Sequence, residues 1–149
     1  MLYFLITASI FILDFWIKKY VDEKFSVKEK HPKFGSRVYI EKYYNKGAAL
    51  NLLQNYPRFM RLLQTILVVV ICVWYYIFGK KGAKPLEKAG MACLLGGGLS
   101  NLYDRYAKGY VVDYLGFEIG PRWFRRIIFN VSDFFVFIGA VMMILGYKE

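Results

Sequence analysis

The chain is poor in the residues that much protein chemistry depends on. It has one histidine and two cysteines among 149 residues, so a protein-held zinc site has almost no ligands to draw on. Cys72 and Cys93 both sit inside apolar runs and read as small buried hydrophobes, which leaves no disulfide framework. His31 lies in a polar stretch beside Pro32, so neither Ser100 nor Ser132 has a histidine at hand as base. Lys18 is the one alternative base for a serine, but no motif of the Ser–Lys hydrolases accompanies it. Acidic residues are scarce too: 11 Asp and Glu stand against 21 Lys and Arg, for a net charge of +10. No internal repeat or low-complexity tract is present, and the length leaves room for a single domain, residues 1–149.

What the chain has in excess is apolar surface. Hydrophobic residues make up 57% and aromatics 19%, more than an ordinary soluble domain carries. The charges are segregated between the apolar runs. Their expected partner is therefore membrane lipid headgroups, not nucleic acid, for which they form no recognition element.

Four apolar runs predict four transmembrane helices, at approximately 2–20, 59–79, 86–103 and 127–147. The first is broken only by Asp14 and ends at Lys18-Lys19; without a basic start or a small-residue cleavage site, it reads as a retained anchor. The second ends in Trp74-Tyr75-Tyr76 before Lys80-Lys81, an interfacial belt followed by a charged stop. The third contains Gly96, Gly97 and Gly98, which suit the tightly packed central helix. Asp133 is the only charge inside the fourth. Between the first two spans, Arg37 to Tyr44 reads as a strand, Asn45-Lys46-Gly47 as a turn, and Ala48 to Gln54 as a short helix on the membrane surface.

Four spans joined as hairpins place both termini on one side of the membrane and loops one and three on the other. Asp14, Lys18, Asn45, Asn101, Asp104, Arg105, Asp113, Asn130 and Asp133 then gather at one face. A carboxylate within lipid costs ~2.5–3.5 kcal/mol on insertion scales, so such residues are kept for a purpose. Two aspartates close together in a low dielectric hold one proton between them. That pair suits amide hydrolysis, with the ionised member activating water and the protonated one polarising the scissile carbonyl. The alternative is that Asp113 and Asp133 each pair with one of Arg122, Arg125 and Arg126. Asp14 and Lys18, four residues apart, read as an ion pair or a bond fastening span one to the others. Asn45 and Gly47 either make a turn or hydrogen-bond a substrate backbone, and Asn101 either caps its helix or bonds the site. Ser132 stands beside Asp133, where its hydroxyl either bonds that carboxylate or satisfies the helix backbone.

The stretch Gly96 to Phe117 (GGGLSNLYDRYAKGYVVDYLGF) and Ile127 to Met143 (IIFNVSDFFVFIGAVMM) resemble the bacterial lipoprotein signal peptidases. So do NKGAAL in loop one and the Asp14–Lys18 spacing, and the resemblance covers most of the chain. It implies four transmembrane helices with a small extracytoplasmic β-cradle and a short surface helix. It implies an aspartic endopeptidase that removes signal peptides from prolipoproteins, cutting amino-terminal to a diacylglyceryl-modified cysteine. Asp113 and Asp133 would be the catalytic dyad, with Asp14, Lys18, Asn45, Gly47, Asn101, Arg105 and Asn130 binding substrate or supporting them. No metal or organic cofactor is expected, and the protein is expected to act as a monomer in the bacterial cell membrane. A non-catalytic relative that binds lipidated peptides or partner helices in the same groove is the alternative. Ser100, Ser132 and Leu50 stand where the family usually has Gly, Ala and Phe. The resemblance also implies cytoplasmic termini, against the charge distribution. Lys18 to Arg61 and Arg105 to Arg126 hold 16 of the 21 basic residues, which by the positive-inside rule would place loops one and three in the cytoplasm.

Overall fold

The computed structural model describes residues 1–33, 35, 37–48, 52–79 and 82–148. In chain order the elements are α1 (Leu2–Lys24), β1 (Lys30–Lys33), β2 (Val38–Asn45), α2 (Pro57–Gly79), α3 (Pro85–Ala107), β3 (Val111–Phe117), β4 (Ile128–Phe129) and α4 (Val131–Lys148). A 3-10 turn at Phe124–Arg126 leads into β4. The strands form one antiparallel sheet in the order β1-β2-β3-β4.

α3 is the central helix, and its small residues explain why. A Cβ at Gly90 would lie 2.9 Å from the Gly139 carbonyl oxygen, and one at Gly97 only 2.5 Å from that of Ser132. The backbones of α3 and α4 therefore meet directly, as small residues allow in lipid. Gly96 does the same for α1, where a Cβ would sit 2.9 Å from the Thr7 carbonyl oxygen.

The molecule is built inside out. α1 exposes Phe4, Ile12 and Trp16, α2 exposes Leu62, Val69 and Val73, and α4 exposes Phe137 and Ile144. Asp14, Lys18, Ser100, Asp104, Asn130 and Ser132 are buried between the helices instead. Apolar side chains outward and paired polar groups inward are what a hydrocarbon solvent selects.

The structure corrects several expectations. The strand expected at Arg37–Tyr44 runs Val38–Asn45 in a four-stranded sheet, in keeping with the small β-cradle that the resemblance implies, and loop three adds β3 with Asp113 on it. The polar stretch around His31, for which no strand is expected, pairs as edge strand β1. The expected surface helix at Ala48 to Gln54 is not seen in its described part, since residues 52–55 form turns, while residues 49–51, with Leu50, and Lys80-Lys81 fall outside the described residues. The fourth helix begins at Val131 instead of Ile127, because Ile128 and Phe129 pair with β3. Cys72 is exposed on α2, so only Cys93 is the buried hydrophobe expected of both. Among the described residues, Pro57–Ile77 is the one helix long and apolar enough to cross a membrane by length and composition alone. Val131–Gly146 is apolar but shorter. α1 and α3 are interrupted by charge: α1 carries Asp14, Lys18 and Lys19, and α3 carries Glu87, Lys88, Asp104 and Arg105.

Candidate active site

Asn130 is the residue from which α4 starts and around which the site is organised. Its Oδ1 accepts the backbone N–H of Asp133 (3.0 Å), and the Asp133 Oδ2 accepts the backbone N–H of Asn130 (3.0 Å). This reciprocal capping box satisfies donors that a helix start leaves open. It also holds the Asp133 carboxylate in one orientation. The Asn130 amide then donates to Asp113 Oδ1 (2.7 Å) and to Asn101 Oδ1 (3.0 Å), so both of its hydrogens are used.

Each aspartate accepts from two sides. Asp113, buried on β3, takes Asn130 on Oδ1 and the Asn45 amide on Oδ2 (2.8 Å). Asp133 takes the Asn130 backbone on Oδ2 and the Asn101 amide on Oδ1 (2.9 Å). Pairing of β2 with β3 brings Tyr43 opposite Asp113 and Asn45 opposite Val111, which is why loop one reaches a loop-three carboxylate. Asn45 is itself oriented by the Gly47 N–H, which donates to its Oδ1 (2.9 Å). Burial pushes the Asp113 carboxyl up to about 8, and the charge of Asp133 acts in the same direction against the lowering effect of the Asn45 and Asn130 amides. The arrangement can hold one proton between two carboxylates and offer the ionised one as a base.

Beneath the pair lies a second polar cluster. Lys18 Nζ sits 2.8 Å from Asp14 Oδ2, donates to Asn101 Oδ1 (2.7 Å) and to Ser100 Oγ (3.1 Å), and lies 3.4 Å from Asp104. The hydroxyls of Ser100 and Ser132 both donate to Asp14 Oδ2, at 2.6 and 2.5 Å. Ser132 thus turns away from its neighbour Asp133 and ties the first turn of α4 to α1. Tyr114 donates to Asp14 Oδ1 (3.1 Å) and accepts the Val131 N–H, bracing the same helix start. Asp104 accepts the Val112 N–H (3.1 Å), fixing β3 to the end of α3.

The nine residues singled out from the sequence all fall in this connected network. Arg105 reaches it through loop one, donating to the Gly47 carbonyl and to Gln64 Oε1 (2.6 Å), not to Asp104 or loop three. Arg122, Arg125 and Arg126 make no ion pair with either aspartate among the described residues, and Arg125 Nε donates instead to the Gly120 carbonyl. Gln64 and Tyr114 were missed, since a lone Gln in an apolar run and a Tyr in a presumed loop carry no local signal. The capping box did carry one, an Asn three residues before an acid at a helix start.

The pair opens onto a cavity of about 640 Å³. Asn45, Gln64, Asn101, Arg105, Asp113 and Asp133 supply its polar end. Its walls are apolar side chains from α2, α3 and α4, among them Leu67, Val68, Leu94, Val136 and Phe137. No group of three His, Cys, Asp or Glu able to hold a metal occurs among the described residues.

This fold is shared with solved bacterial membrane enzymes. Two structures titled as a bacterial membrane enzyme, at 2.3 and 1.9 Å resolution, superpose with TM-scores of 0.85 and 0.84. They are 24% and 23% identical, and the alignments cover 98% and 99% of this chain and 87% and 92% of theirs. The profile of the signal peptidase (SPase) II family matches residues 6–147. The chain belongs to that family. It is 33% identical to the lipoprotein signal peptidase of Caldicellulosiruptor bescii, over 96% of this chain and 88% of that protein. Against the lipoprotein signal peptidase of Halothermothrix orenii it is 32% identical, over 95% and 92%.

Proposed function

We propose that the chain is a membrane-embedded aspartic endopeptidase that removes signal peptides from diacylglyceryl-modified prolipoproteins, cutting amino-terminal to the lipidated cysteine. The observation that carries this is the pairing of Asp113 and Asp133 by three asparagines at the mouth of an apolar cavity. An apolar cavity between helices takes a hydrophobic signal segment and an acyl chain. The carboxylates then meet the peptide bond where the lipid ends. With one proton shared by the pair, the ionised aspartate takes a proton from water as the water attacks the carbonyl. The protonated aspartate donates to the carbonyl oxygen, and a proton is later delivered to the leaving amine. Asn45, Asn101 and Asn130 hold both carboxylates so that little reorganisation is needed as charge moves.

In this reading Asp14, Lys18 and Arg105 are supports, Gly47 carries the loop contact, the protein works as a monomer, and both termini lie in the cytoplasm with the site facing outward. Purified protein should cleave a diacylglyceryl-modified precursor. Asp113→Asn or Asp133→Asn, which keep size but remove the acid function, should abolish cleavage while the protein still accumulates in the membrane. Full activity in either variant would remove the dyad assignment.

A further inference from the structure

We propose that Gln64, on α2, is a positioning residue that sets the loop-one side of the dyad by holding Arg105. The inference rests on the peptidase reading above and deepens it. Gln64 stands among Leu62, Leu63, Thr65, Ile66 and Leu67, where an amide is costly unless both of its ends are paired. Both are paired. Its Nε2 donates to the Gly98 carbonyl (3.1 Å) and its Oε1 accepts Arg105 Nη1 (2.6 Å).

From there the contacts run to a dyad carboxylate. Arg105 Nη2 donates to the Gly47 carbonyl, the Gly47 N–H donates to Asn45 Oδ1, and Asn45 Nδ2 donates to Asp113 Oδ2. Arg105 is 8% exposed and its Nε has no partner among the described residues, so Gln64 and Gly47 are the contacts there that set the plane of the guanidinium. A guanidinium is a rigid planar fork, and two contacts from different elements orient it where one leaves it free to swing. Gln64, Arg105, Asn45 and Asp113 all line the same cavity, which places this relay beside bound substrate. The rival role is a plain tie between α2 and α3 through the Gly98 carbonyl.

Two substitutions separate these roles. Gln64→Met keeps the volume and removes both contacts. Gln64→Glu keeps an acceptor for Arg105 and removes the donor to Gly98. Cleavage of a diacylglyceryl-modified precursor by the purified full chain is measured as kcat and KM, with thermal melting in the same detergent. Loss of an interaction that serves the reacting state lowers kcat more than it raises KM, so Gln64→Met should lose about tenfold in kcat with KM within about twofold. Gln64→Glu should recover most of that loss. Wild-type kcat in Gln64→Met would overturn the inference. So would a Gln64→Glu protein as slow as Gln64→Met, or failure of both to fold, since either makes Gln64 a structural tie. A wild-type protein that does not cleave the precursor at all counts against the peptidase reading itself.

Discussion

Asn130 serves both aspartates at once, through its backbone N–H to Asp133 and its side-chain amide to Asp113. Two acids held this way can share one proton, and burial together with the charge of Asp133 raises the Asp113 carboxyl, so that proton is held to higher pH than on a free carboxylate. The sign follows from the direction of the shift. A carboxyl whose folded value lies above its unfolded one keeps its proton until the pH passes about 8. Cleavage should therefore fall on the alkaline side as the pH rises through that region. The same shift makes the folded state bind more protons than the unfolded chain, so its contribution to stability declines from the ordinary carboxylate range upward. A pH–rate profile with no alkaline limb would contradict the shared proton. Deeper in the network, Asp14 accepts from Lys18, Ser100, Ser132 and Tyr114. Asp14→Asn places an amide donor among donors and strips Lys18 of its nearest charge. Breaking a buried pair on one side costs ~3–5 kcal/mol, so this variant should melt earlier and cleave more slowly without complete loss. Complete loss of cleavage in a variant that melts like wild type would give Asp14 a direct part in the reaction.

At the scale of elements, the site is set where strands end and helices begin. The start of α4 rests on α3 at Gly97, against the carbonyl of Ser132, the residue before Asp133. Gly97→Ala would put a methyl 2.5 Å from the Ser132 carbonyl oxygen and 2.8 Å from Val136 Cγ2. The carbonyl cannot yield without moving the helix, and overpacking of this kind costs ~1–3 kcal/mol. The variant should show a lowered melting temperature together with reduced kcat, because the atoms displaced adjoin the carboxylate. Gly98 offers the contrast: among the described residues a Cβ there meets only Val68 Cγ2, at 3.2 Å, and Gly98→Ala should be milder in both measurements. Long helices of period and composition were readable from the sequence, as was the strand before Asn45. β3 was not, because Val111 to Phe117 is short and buried on both faces, and such a run lacks the alternation that marks a half-buried strand.

For the whole molecule, the apolar exterior and polar interior agree with a lipid setting, and the orientation within it is a separate question. The basic residues crowd loops one and three, yet the proposed reading places those loops outside the cell. A reporter active only outside the cell, fused after Glu149, should stay silent; activity there would reverse the proposed topology. Composition and spacing by themselves determined that the chain is helical and apolar, and that its costly polar residues gather at one face. They did so because an apolar run long enough to matter is a local property, and each intramembrane charge stands out singly. Only the tertiary structure decided how those residues divide the work. The sheet register carries Asn45 to Asp113, the α4 cap turns Asp133, and Ser132 bonds Asp14 instead of its sequence neighbour. The cap is local and has a sequence signal of its own, but the Asn45–Asp113 and Ser132–Asp14 bonds join distant segments, and their geometry depends on packing that a linear spacing does not encode.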